Sequence, residues 1–275
     1  MSGFPFNAAR LRRVFAFGVT ALVLVVGGLF AVVPEAVAGN ALGFLLIQPI
    51  GLLLIVIAGV RSRFALGASY PLAQMIRVNS IAIALSAFLP AKSGELLKPV
   101  ALARIARAPI SSGFSMVFIE RVADGIAIAI LAGVAVYLGF DLSASSLETV
   151  PLLVPGLLIL TILGALLFSE RARNWFLELS RSAWDTVSHK RNRLGLFFTT
   201  IALWVLSAGA MVIFGLASSG GDLGVGPLLI TFVASTVGLA LGVTPGGWGI
   251  VEGIVVGSLM SFGLSLGDAL SFAIM

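Results

Sequence analysis

Apolar residues run along this chain in long continuous blocks, broken at intervals by short polar pieces. The blocks are too long for the stripe of a soluble amphipathic helix, and they lack the strict alternation of a barrel strand. They predict membrane segments at about 14–34, 41–60, 79–90, 112–139, 150–168, 195–217, 226–243 and 250–264, with an apolar tail to Met275. A short amphipathic piece from Arg61 to Ser80 is expected at the interface. The stretch 169–194 mixes basic residues with Trp175, Phe176 and Trp184, which predicts an amphipathic helix on an anionic leaflet.

Two of the breaks differ from ordinary loops. The first, Leu89-Pro-Ala-Lys-Ser-Gly-Glu-Leu-Leu-Lys-Pro99, brings two prolines, a glycine and three charges to the end of an apolar block. Segment 79–90 is only about 12 residues, or roughly 18 Å as a helix, too short to cross a core of about 30 Å. If it did cross, every later loop would invert. A re-entrant hairpin that turns near Pro90 and returns through 93–108 avoids this. Irregular backbone at membrane depth is tolerated where it is buried in protein or lines a water-filled cavity, so the tip is expected to line a cavity.

The second break is Gly242-Val-Thr-Pro-Gly-Gly-Trp-Gly-Ile-Val-Glu-Gly253. Laid on the first, Pro90 and Gly94 match Pro245 and Gly249, and a glutamate follows in each, Glu95 and Glu252. Gly246 and Gly247 add further freedom for close approach. The two breaks enter from opposite sides, the pattern of inverted repeats whose broken segments form a transporter site near the midplane. The competing reading of the glycines is helix packing through small residues.

Composition and charge agree with the pattern. Of the 275 residues 59% are hydrophobic and 11% charged, and the mean hydropathy is +1.12. Such a balance predicts an all-α, polytopic integral membrane helix bundle, one transmembrane domain over 1–275 with about six to eight membrane segments. Arg10, Arg12 and Arg13 precede an uncleaved first span. With the N-terminus cytoplasmic, Arg61, Arg63, Arg77, Arg171, Arg173, Arg181, Lys190, Arg191 and Arg193 also fall inside. The outer loops then hold only Glu35, Asp141, Glu148 and Asp222. This placement accounts for the high pI and argues against nucleic acid as a partner. Cysteine is absent and the single histidine, His189, lies in a basic loop. No metal site, no cofactor and no nucleophilic catalytic residue is therefore expected.

Charges also sit inside a span. Phe118-Ile-Glu-Arg-Val-Ala-Asp-Gly125 places Glu120 and Asp124 at i,i+4 and Arg121 and Asp124 at i,i+3. A charge at bilayer depth costs at least about 2.5–3.5 kcal/mol, so it persists where it is paired or functional. One reading is a structural Arg121–Asp124 pair. The other is a polar lining that joins Lys92, Glu95, Lys98, Glu120, Arg121 and Asp124 in one cavity, with Glu252 contributed by the second break. Cations in such a cavity suit a phosphate headgroup. Glu95 would neutralise a lysine, bind a cationic headgroup or carry a proton. Arg104 and Arg107 are expected to snorkel to the cytoplasmic interface.

Three stretches, Leu89–Pro99, Phe114–Gly125 and Thr244–Gly253, together resemble the lysylphosphatidylglycerol synthase transmembrane-region family of flippase-like membrane proteins. Their order and separation also fit, so the likeness covers nearly the whole chain. The family's first motif carries arginines near positions occupied here by Lys92 and Lys98, so this chain keeps the charge and loses bidentate phosphate geometry. The resemblance implies a prokaryotic plasma-membrane domain that binds an anionic or lipid-linked headgroup and moves the lipid between leaflets. It also implies a partner lipid-modifying enzyme or a homo-oligomer, and a further span beyond Met275, so the chain reads as a fragment or shortened form. Pro90, Gly94, Pro245, Gly246, Gly247 and Gly249 would shape the two loops. The alternatives are a membrane transferase acting on a lipid-linked substrate, using its carboxylates as acid–base groups, and a scaffold that anchors a partner enzyme.

Overall fold

The computed structural model describes residues 34–89, 93–137, 170–218, 223–241, 244 and 246–274. The expected spans 14–34 (all but its last residue) and 150–168 lie outside the described residues. Among the described residues every regular element is an α-helix. Among the described residues one helix, over Lys190–Leu216, is long and apolar enough by length and composition to cross a bilayer.

The first helix, α1 (Pro34–Ala65), runs well past the predicted block. It stops where Gly67 and Ala68 take left-handed backbone, φ 70° and 62°, and the Ala68 N–H returns to the Arg63 carbonyl at 2.7 Å. Helix α2 (Leu72–Phe88) follows after Pro71. The interfacial piece expected over 61–80 is therefore not one element. Its first five residues end α1, and Arg61 and Ser62 there are buried against other helices. Polar partners deeper in the fold, absent from any local window, hold them inside.

Helix α2 has 17 residues, about 25 Å of rise, still short of a bilayer core of about 30 Å. Its C-cap, Leu89, is extended (φ −105°, ψ 144°), as a residue before proline must be. The chain then returns along α2 through a four-residue helix α3 (Ser93–Leu96) and helix α4 (Lys98–Ile105), with Pro99 in the first turn of α4. Gly94 makes this hairpin close. A Cβ there would meet the Ala82 carbonyl and the Ser86 amide, so backbone lies against backbone.

Helix α5 (Ile110–Tyr137) packs on α4, with Gly113 seated against Pro99. Helix α6 (Glu170–Ser188) matches the predicted amphipathic stretch. Its apolar face, through Leu179 and Ala183, lies on α5, where Phe176 meets Phe118 edge to face at 5.7 Å. Helix α7 (Lys190–Ser218) packs most extensively on α1, with the Phe64 ring over Gly195.

A second hairpin follows, α8 (Val225–Leu241) and α9 (Ile250–Ser261), and then α10 (Leu266–Ile274). Phe214, Leu228, Val255, Leu259 and Phe272 form one apolar cluster that joins α7 to these three helices. The tip of the second hairpin reaches the first: a Cβ on Gly246 would lie 3.0 Å from the Ala87 carbonyl at the end of α2.

Beside this apolar core, two features depart from a water-soluble fold. Leu52, Ile130 and Ile213 stand more than half exposed, while Lys98 and Glu120 are fully buried. An apolar surrounding favours the exposed apolar side chains, which water would penalise.

Candidate functional site

Three cations and three carboxylates from four helices converge between the first hairpin and α5. The last turn of α1 contributes Arg61 and Ser62, and α2 contributes Asn79. The returning arm contributes Glu95 and Lys98, and α5 contributes Glu120, Arg121 and Asp124. The i,i+4 spacing stacks Glu120 and Asp124 on one side of α5. Arg121, one residue on, turns away from Glu120 and is 44% exposed, yet its length brings its head back to Asp124.

Glu120 is the centre of the network. Its Oε1 accepts from Ser62 Oγ at 2.5 Å and its Oε2 from Lys98 Nζ at 2.9 Å, with Arg61 Nη2 at 3.8 Å. Asn79 supports this arrangement by donating to Ser62 Oγ at 2.9 Å. Asp124 Oδ1 accepts from Arg61 Nη1 at 2.5 Å and from the Trp204 indole N–H of α7 at 2.9 Å. Its Oδ2 lies 3.0 Å from Arg121 Nη2. Lys98 Nζ also faces Glu95 Oε2 at 2.9 Å, and Arg121 Nη2 faces the same oxygen at 3.5 Å.

The six charges compensate one another, and the Lys98–Glu120 and Arg61–Asp124 pairs are held out of water. Removing one member of such a buried pair typically costs about 3–5 kcal/mol. The network also explains why α1, α4, α5 and α7 assemble in one register: each brings a group whose partner lies on another helix.

Beside the network lies a cavity of about 570 Å³. Leu52, Leu54, Ile55, Ile83 and Leu203 form its apolar wall, and Arg61, Asn79, Glu95 and Lys98 its polar end. A chamber with one oily wall and one charged end fits an amphiphile better than an ion or a sugar.

Five of the predicted site residues, Glu95, Lys98, Glu120, Arg121 and Asp124, are thus brought together. Pro90, Lys92 and Pro245 lie outside the described residues. Glu252 takes a different place: its Oε2 accepts from the Gly249 N–H at 2.6 Å, across the first turn of α9. Gly94 serves the closure of the first hairpin. Gly246, Gly247 and Gly249 all have positive φ, 62°, 78° and 81°, which only glycine adopts without strain. Sequence reading missed Arg61, Ser62, Asn79 and Trp204 as members of the site. Asn79 gave a signal, a polar side chain within an apolar helix; Arg61 looked like an ordinary interfacial charge.

Comparison with curated proteins and with solved structures gave no match. A family model described as the lysylphosphatidylglycerol synthase TM region matches residues 13–275. That match, an all-helical fold and the buried ionic site beneath an apolar exterior agree with a membrane protein of lipid metabolism or transport. The chain belongs to the lysylphosphatidylglycerol synthase TM region family.

Proposed function

We propose that this chain is a lipid transporter of the flippase type, moving a phospholipid, glycolipid or polyprenyl-linked lipid between leaflets of a prokaryotic plasma membrane. The observation that carries this reading is the amphipathic cavity, whose charged end is the network of Glu95, Lys98 and Arg61. The headgroup sits at that end and the acyl chains run along the Leu52, Ile55 and Leu203 wall. In this reading the N-terminus is cytoplasmic and the bundle is polytopic. The two hairpins are re-entrant from opposite sides, and their approach at Gly246 and Ala87 supports a meeting near the midplane.

A blocked cavity tests the reading. Gly51 lines the chamber and has nothing within 4 Å of its Cβ position, so the ring of Gly51→Phe starts from open space beside the chamber. Purified protein in proteoliposomes is expected to move labelled lipids, and Gly51→Phe to lose that movement while unfolding at the same temperature as the wild type. Movement that survives the phenylalanine, or an absence of movement by wild-type protein across anionic, zwitterionic and polyprenyl lipids, would sink it.

A further inference from the structure

The three carboxylates of the network are not held alike. Both oxygens of Glu120 and the Oδ1 of Asp124 accept hydrogen bonds, and Asp124 Oδ2 lies 3.0 Å from Arg121 Nη2. Glu95 Oε2 sits 2.9 Å from Lys98 Nζ and 3.5 Å from Arg121 Nη2, yet among the described residues this buried oxygen makes no aligned hydrogen bond. The Nε of Arg61, a side chain only 6% exposed, is likewise buried without a hydrogen-bond partner among the described residues. Arg61, Glu95 and Lys98 all line the cavity. A buried donor and a poorly held anion at one chamber wall are unusual, because each costs free energy that a fitting ligand would recover.

We propose that Lys98 and Arg121 form a binding site for a phosphodiester monoanion, and that Glu95 occupies this site as an internal stand-in until the ligand displaces it. Among the described residues, charge balance fits one ligand. With Glu95 in place, the three cations Arg61, Lys98 and Arg121 face three carboxylates. With Glu95 turned away one positive charge is uncompensated, and a single phosphodiester restores neutrality. The backbone at Gly94 is pinned on α2, so displacement would proceed by rotation of the Glu95 side chain. Lys98 keeps Glu120 and Arg121 keeps Asp124 when Glu95 departs, so the site stays assembled. Arg61 Nε is the spare donor for a second phosphate oxygen. The proposal rests on the lipid-transporter reading only for the source of the phosphodiester.

The sign of one substitution decides it. A direct contact to a cationic headgroup predicts that Glu95→Gln weakens binding; a stand-in predicts the opposite. Full-length protein in a neutral detergent is titrated calorimetrically with short-chain phosphatidylglycerol, soluble glycerophosphoglycerol, inorganic phosphate and short-chain diacylglycerol. Glu95→Gln is expected to bind phosphatidylglycerol about tenfold tighter than wild type and Arg121→Gln about tenfold weaker, with diacylglycerol unaffected. Glu178→Gln makes the same change of net charge on the exposed face of α6 and is expected to alter nothing. Equal tightening for the soluble phosphodiester identifies the headgroup chemistry alone as sufficient, and tightening confined to the lipid assigns the site to a membrane source. Unchanged or weaker phosphatidylglycerol binding by Glu95→Gln overturns the proposal, as does an Arg121→Gln protein that binds like wild type. Tighter binding without lipid movement in proteoliposomes overturns the transporter reading and leaves the anion site standing.

Discussion

The two hairpins carry matching breaks and use them differently. In the first, over Leu72–Ile105, the glycine is a packing residue and the glutamate an ionic one: Gly94 presses on the α2 backbone and Glu95 faces Lys98 and Arg121. In the second, over Val225–Ser261, three glycines supply left-handed turns and the glutamate stays local, bonded to Gly249. A shared spacing of proline, glycine and glutamate therefore does not carry a shared role. What separates them is the neighbour. Helix α5 brings Arg121 and two carboxylates against the first hairpin, whereas the described surroundings of the second tip are the Ala87 carbonyl, Leu239 and Val251.

The sharpest way to break this contrast is at Lys98, which joins the first hairpin to Glu120. Lys98→Ala leaves Glu120 buried with Arg61 at 3.8 Å as its nearest remaining cation, and is expected to cost about 3–5 kcal/mol. Replacing both partners, Lys98→Met with Glu120→Met, is expected to recover most of that loss, because no orphan charge remains. Denaturant unfolding in detergent measures both, and a double variant no better than the single one would refute the pairwise account.

The glycines come next. Gly94→Ala drives a methyl into backbone on α2 and is expected to cost about 3 kcal/mol through overpacking. Gly249 has open space at its Cβ position, so Gly249→Ala meets only the left-handed backbone penalty of about 1–2 kcal/mol. Equal losses at the two sites would erase the distinction between a packing glycine and a turn glycine. The smallest effect belongs to Glu252. Glu252→Ala removes one acceptor at the start of α9, and a loss of about 1 kcal/mol, read from the same unfolding curves, is expected for a cap. A loss as large as that at Lys98 would place Glu252 in an ionic network after all.

Much of the fold was legible before the structure. Hydropathy placed the blocks that became α1, α5, α7, α8 and α9, because burial in an apolar medium demands long apolar helices whatever their partners. The breaks at Pro90 and at Pro245 announced the hairpins, since proline and glycine act on their own backbone. Glu120, Arg121 and Asp124 stood out because charge within an apolar run is costly wherever it lies. These signals are local, and the sequence by itself was enough to read them. Partner choice is not local. Whether Arg61 snorkels to an interface or turns inward to Asp124, 63 positions away, depends on where α5 packs. Whether Glu252 joins Glu95 or bonds Gly249 depends on which neighbours reach it. Those decisions belonged to the tertiary structure alone, because an ion pair is stabilised by distance in space and the sequence records only distance along the chain.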